Sequence, residues 1–180
     1  MSKIKLDIDS EQNILNMLLD SSSLTSEQMS KINTTSPEIG KTKLETAIEL
    51  NFTDEKKIQK TLSTNYSLEL ISLEKKVIDP KIRKIIDLRY LQDNLLVPFE
   101  MTGGILKIAI ADASKLGLMK NLKTITKMEP ELYAATISDI NDFIDRMSRQ
   151  ETKKISSSNV KVEKIEKNKD ELIEVGSEVI

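Results

Sequence analysis

The sequence predicts an α+β protein: an N-terminal helical subdomain of two related helix-turn-helix copies, packed with a small α/β subdomain of three to four strands and followed by a charged C-terminal tail. Three observations predict it. From about Ser10 to Asn65 apolar residues recur at helical spacing between polar turns. From Ser67 the texture changes to alternating and continuous apolar runs on either side of Thr102-Gly103-Gly104. After Gln150 the chain is dense in both signs of charge and sparse in core formers, as a linker or tail is. The expected boundaries are 1–66, 67–149 and 150–180.

In order along the chain, Ile14, Leu15, Leu18 and Leu19 share one helical face that stops at Ser21-Ser22-Ser23. Thr25 with Gln28 is a capping box that opens a second helix carrying Met29 and Ile32. Pro37 is expected to end it, because proline lacks the N–H that the ladder needs. Leu44, Ala47, Ile48 and Leu50 form a third apolar face, and Thr53 or Asp54 caps a fourth helix with Ile58 and Leu62 on one side. LTSEQMSKI and FTDEKKIQK correspond from Leu24 and Phe52, so a unit of helix, polar turn and capped helix occurs twice, about 28 residues apart. Two copies are too few for a solenoid and read as a paired helical subdomain.

LELISL is a short strand candidate, and Pro80 in a first turn opens a helix through Ile82, Ile85, Ile86 and Leu88. LLVPFEMTGGILKIAIAD reads as two strands about the glycine turn, followed by a helix with Leu116, Leu118, Met119 and Leu122. Glu131 to Ala135 is a further strand, and Ser138 caps a last helix holding Ile140, Phe143, Ile144 and Met147.

Composition narrows the chemistry. The 180 residues hold 27 basic against 29 acidic side chains, so no strong field attracts nucleic acid, and the lack of Trp argues against base-stacking platforms. With no Cys and no His, the chain has no thiolate or imidazole to serve as nucleophile, zinc ligand or neutral-pH proton carrier, and it can form no disulfide. Carboxylate chemistry and oxygen-ligated Mg²⁺ stay open on paper. No stretch approaches the roughly 20 apolar residues of a membrane span, and SKIKLDIDSEQN lacks the apolar core of a signal peptide. A soluble, cytoplasmic protein is expected.

Gly40-Lys41-Thr42 is the tail of a Walker A loop, whose early glycine lets backbone N–H groups curl round phosphate. Thr35 stands at that early position, and a polar loop rather than a buried strand precedes the tripeptide. The residues favour an ordinary glycine turn ahead of a helix over a phosphate loop.

VPFEMTGGILKIAIADASKLGLMKNLKTITKMEPELYAATISDINDFIDRM resembles the N-terminal domain of type II secretion and type IV pilus assembly ATPases. Pro98, Gly104, Leu106, Ala109, Ala111, Asp112, Leu122, Thr126 and Ile140 stand at the family's positions, and Ala113 replaces its usual proline. Upstream, SLELISLEKKVIDPKIRKIIDLRYLQDNLLVPF is similar to the family's strand-and-helix segment, and the duplicated helices resemble the half called MshEN, so the likeness covers roughly 14–148. The resemblance implies a domain that precedes a hexameric ATPase core, with the true Walker A in that core. It implies a catalytic half absent from this chain, as in a fragment of a longer ATPase or a stand-alone regulatory copy.

Some MshEN domains bind cyclic di-GMP through two copies of a motif that opens on Arg-Leu-Gly, has a later Gly-Leu-Ile and ends on spaced Leu, Leu and Gln. Mapped on the second copy, Arg-Leu-Gly falls beside Lys41 and on Thr42-Lys43-Leu44, or one residue later. The later Gly is Asn51, Leu-Ile is Phe52-Thr53, and the spaced residues are Ile58, Leu62 and Asn65. In the first copy the later Gly is Ser22 and the Gln position is Ser36. The packing positions survive better than the binding ones. The first Arg of the chain is Arg83, outside both copies, so the bidentate cation is missing and Lys41 or Lys43 offers only a point charge. No cofactor is expected, with cyclic di-GMP as the alternative.

Asp112 ends a buried strand, where functional carboxylates of α/β sheets often sit, but with no second carboxylate beside it a helix cap aided by Ser114 is the better reading. Glu129 and Glu131 flank Pro130 and are expected to be solvated. Lys75, Lys76, Lys81, Arg83 and Lys84 form a modest basic cluster, read either as a solvated face or as a contact for an acidic surface or headgroups. The expectation for function is a non-enzymatic adaptor or regulatory domain. What the resemblance implies for partners is an inner-membrane platform protein or the motor ATPase, with a cyclic di-GMP sensor as the alternative.

Overall fold

A computed structural model describes residues 6–149, so the expectation of a tail over 150–180 lies outside the described residues. The chain divides into two units, Met1–Ile144 and Asp145–Ile180; of the second, 145–149 are described and helical. The first unit opens with four helices: α1 (Ile8–Asp20), α2 (Ser26–Ile39), α3 (Lys43–Glu49) and α4 (Glu55–Tyr66). Strand β1 (Glu69–Leu70), short helices α5 (Ile82–Ile85) and α6 (Leu88–Asn94), and the hairpin β2 (Leu96–Thr102) and β3 (Ile105–Ile110) follow. A 3₁₀ segment (Ala113–Leu118), α7 (Met119–Thr126), β4 (Glu129–Ala134) and helix α8 (137–149) complete the described chain.

The sheet has the order β1-β4-β3-β2. β2 and β3 are antiparallel about Gly103 and Gly104, both at positive φ as a type I′ turn demands of its two central residues. β3 and β4 run parallel, joined by the crossover through the 3₁₀ segment and α7. β1 adds two residues parallel to β4, shorter than LELISL suggests, with the Ile71 N–H donating to the Ala134 carbonyl at 3.0 Å. Pro98 is tolerated because β2 is an edge strand, and the register shifts between Pro98 and Glu100.

Leu15, Leu18, Ile32, Leu44, Ala47, Ile58 and Leu62 are buried in the helical segment, and Leu106, Ile108, Ile110, Leu122, Ile140 and Phe143 in the α/β segment. Polar bridges tie the two. The Gln59 amide of α4 donates to the carbonyls of Ile71 (3.1 Å) and Ala134 (2.8 Å), and the Glu55 carboxylate accepts the Ser138 N–H (2.8 Å) and hydroxyl (2.7 Å).

Four local expectations change. α2 runs through Pro37 to Ile39 and ends where Gly40 turns left-handed, so the proline sits in the last turn without stopping the helix. The helix after Pro80 breaks at Ile86, which is extended, and Asp87 starts a new one by accepting the Arg89 N–H at 2.7 Å. Ser138 does not cap α8: Thr136 does, its hydroxyl accepting the Asp139 N–H at 3.1 Å, while Ser138 is held by Glu55. Of Thr53 and Asp54, the cap of α4 is Asp54, whose carboxylate accepts the Lys57 N–H at 2.8 Å.

Replacing Leu62 by alanine removes a fully buried side chain of α4 and should lower the unfolding free energy by about 2–5 kcal/mol in urea denaturation. A loss below about 1 kcal/mol would mean that α4 is not part of the core.

Candidate functional site

The two helical copies close their first helices in the same way. At the end of α1 the Ser23 N–H donates to the Leu18 carbonyl (2.8 Å) and the Ser22 N–H to that of Leu19 (2.9 Å). At the end of α3 the Phe52 N–H donates to Ala47 (3.0 Å) and the Asn51 N–H to Ile48 (3.0 Å). Both are Schellman closures, and their pivots are left-handed, Ser22 at φ 54° and Asn51 at φ 57°. These are the two positions on which the resemblance maps the motif's later glycine, and a left-handed pivot is a conformation that glycine adopts freely, Asn tolerates and Ser adopts at a cost. The caps Thr25 and Asp54 repeat in the same register. The structural repeat is therefore one residue longer than the alignment from Leu24 and Phe52: Leu24 matches Thr53, both buried, and Phe52 matches Ser23.

A helix start leaves N–H groups that attract an anion. Here the chain supplies its own acceptors. At α3, Thr42 and Glu45 form a capping box, and the next N–H, of Leu44, donates to the Glu11 carboxylate of α1 at 2.6 Å. At α1, the Asp7 carboxylate accepts the Ser10 N–H (2.7 Å) and hydroxyl (3.1 Å) and pairs with the Lys115 ammonium at 3.3 Å. That contact also neutralises Lys115, whose side chain is only 9% exposed. Desolvation pushes the Asp7 carboxyl up, but the Ser10 hydrogen bonds and the Lys115 charge outweigh it and hold it below the ordinary aspartate value.

Of the residues singled out from sequence, Leu44, Ile58 and Leu62 are core. Lys41 pairs with Glu49 on the surface, and Gly40-Lys41-Thr42 is spent on a left-handed helix end, that ion pair and the α3 cap. Lys43 and Asn65 are exposed. Asn51 holds the turn, and its side-chain amide reaches the Glu49 carbonyl at 3.5 Å. Phe52 lines an open depression of about 480 Å³ with Glu27, Gln28, Ser30, Lys31 and Thr34, and the Lys31 ammonium lies 5.9 Å from its ring centre. Neither Lys41 nor Lys43 lines it. Sequence reading missed Lys31, although Glu27, Lys31 and Thr34 fall at helical spacing on one face of α2.

Asp112 is buried and accepts the Ser114 N–H at 2.7 Å, a cap of the 3₁₀ segment; Ser114 contributes its N–H, not its hydroxyl. Glu129 and Glu131 are exposed yet engaged, by Lys123 and the Tyr133 hydroxyl. In the basic cluster, Lys76 lies 3.5 Å from Glu100 and 5.2 Å from the Phe99 ring centre, while Lys75, Lys81 and Lys84 are exposed. Among the described residues no group of three acidic side chains is placed to hold a metal ion, and no helix is long and apolar enough to cross a membrane.

Two outcomes follow from the helix ends. Ser22→Gly should raise stability by about 0.5–1 kcal/mol in thermal melts, with a smaller gain for Asn51→Gly; destabilisation by both would contradict the left-handed assignment. Because the folded Asp7 carboxyl is depressed, its contribution is complete above the unfolded-state value and is lost as pH falls through the folded one. Asp7→Asn should therefore flatten the fall of stability from about pH 4 downward, and an unchanged acid limb would count against the pair.

Known proteins share this fold. Residues 66–154, which carry the sheet, match the MshEN domain family. The fold is similar to that of MshE solved with cdg, that is, cyclic di-GMP (TM-score 0.55, 19% identity, covering 74% of this chain and 96% of that one). It is similar also to the N-terminal domain of XpsE (TM-score 0.54, 22% identity, covering 79% and 98%). The curated proteins give no match. Residues 66–154 thus match the MshEN domain model, and the fold is the one seen in MshE and in the N-terminal domain of XpsE.

Proposed function

We propose that this protein is a non-enzymatic adaptor or regulatory module of a type II secretion or type IV pilus-like machine, acting in the cytoplasm by docking to an inner-membrane platform protein or to the motor ATPase. The observation that carries this reading is the internal saturation of the helical copies. Asp7 and Glu11 occupy the helix starts of α1 and α3, and the best kept motif residues are core. Such a repeat contributes shape and rigidity more than a binding pocket. In this proposal the helical segment 1–66 and the α/β segment 67–149 work as two parts of one docking body, bridged by Gln59 and Glu55, with 150–180 as the connection onward.

A second reading is a cyclic di-GMP sensor. It is supported by the likeness to MshE solved with cdg and by the left-handed pivots Ser22 and Asn51, which keep the backbone of the motif glycine. Against it stand the missing arginine and the capture of Lys41 by Glu49. In that reading Lys43, Asn65 and Phe52 would be the contacts.

The docking proposal is tested by mixing the purified protein with the cytoplasmic portion of a platform protein and, separately, with the motor ATPase from the same source. A stoichiometric complex with either, at micromolar concentration in analytical ultracentrifugation and in the absence of nucleotide, is expected. Failure with both, or a complex that forms only with cyclic di-GMP, would replace it by the sensor reading.

A further inference from the structure

The segment from Glu74 to Lys84, between β1 and α5, puts an isolated aliphatic side chain among lysines. Val77 is 84% exposed, while its neighbour Ile78 is buried and fixes the segment to the body. Among the described residues between Leu70 and Ile105, Val77 alone is an exposed large hydrophobic residue. Lys75, Pro80, Lys81 and Lys84 are exposed around it. Lys81 and Lys84 lie one turn apart, the Lys84 N–H donating to the Lys81 carbonyl at 3.1 Å. The half-buried Asp79 carboxylate accepts the Lys81 N–H at 2.8 Å, which ties it to the start of α5. Basic residues thus outnumber acidic ones along the chain on either side of Val77, where Lys75, Lys76, Lys81, Arg83 and Lys84 stand against Glu74, Asp79 and, beyond α5, Asp87.

We infer that this loop is a contact site for an anionic lipid surface. A single protruding aliphatic cannot form the contiguous apolar centre of a stable protein interface, which needs on the order of 1,000 Å² of buried area. It suits a bilayer boundary, where one apolar side chain enters between headgroups while flanking lysines reach lipid phosphates along their own methylene stems. Each lysine near a negatively charged leaflet adds a modest, salt-sensitive increment, so the contact is weak and reversible and adds to whatever protein docking supplies. The inference does not rest on the docking proposal, since it requires neither platform nor motor.

The test is flotation of the purified full chain with vesicles of phosphatidylcholine alone or with about 30% phosphatidylglycerol. Binding to the anionic vesicles only, released in about 0.5 M salt, is expected. Lys75→Glu, Lys81→Glu and Lys84→Glu should each weaken partitioning about five-fold or more, and Val77→Asp should weaken it without altering the thermal melt. Lys120→Glu on α7, an exposed lysine elsewhere, should weaken it less than any of the three, which keeps a loop-specific contact distinct from overall charge. No binding to anionic vesicles, equal binding to neutral ones, equal loss in the α7 variant, or capture of polyglutamate in place of vesicles would overturn the inference.

Discussion

Every helix leaves its first N–H groups without a partner, and the way this constraint is met organises the helical segment. Glu11 reaches from α1 to the start of α3, and Asp7 holds the start of α1 while pairing with Lys115 of the 3₁₀ segment. Glu55, in the first turn of α4, turns away to hold the N–H and hydroxyl of Ser138 in the first turn of α8. Carboxylates thus serve as long-range fasteners between elements that hydrophobic burial brings close but does not place in register. A hydrogen bond to a charged group is worth about 1.5–3 kcal/mol when its partner would otherwise be stranded, enough to select one arrangement of a few short helices.

The same economy bears on function. A phosphate-binding repeat needs free donors, a cation with fixed geometry and room for the backbone to approach. This chain keeps the left-handed backbone at Ser22 and Asn51 but places side chains there, and its own carboxylates take up donors at the starts of α1 and α3. The cation with fixed geometry is absent from the helical segment, where Lys41 is held by Glu49. The helical repeat therefore keeps its turns and core while its own side chains satisfy donors at its helix starts.

Much of the fold was legible because its signals are local. The capping box at Thr25 and Gln28, the hairpin at Gly103 and Gly104, and the Asp112 cap each follow from residues within a few positions of one another. The α2 end differs from the expectation because Pro37 removes one ladder hydrogen bond without ending the helix, and Gly40, three residues beyond, supplies the left-handed stop. The break at Ile86 was hidden by an apolar pattern that two short helices satisfy as well as one long helix. Glu11 and Glu55 could not be found at all, since their partners lie 33 and 83 residues away and no periodicity marks such a pair. Lys31 was overlooked for the related reason that its neighbour Phe52 comes from another helical copy.

The central claim is that the helical copies are closed to a dinucleotide by their own side chains. Isothermal titration of cyclic di-GMP into the folded protein addresses it most directly. The account predicts no saturable heat at ligand concentrations up to about 100 μM, a bound on the free energy of roughly 5.5 kcal/mol. A saturable isotherm with micromolar or tighter affinity would contradict it, and would mean that the Glu11 contact with Leu44 opens to admit the ligand.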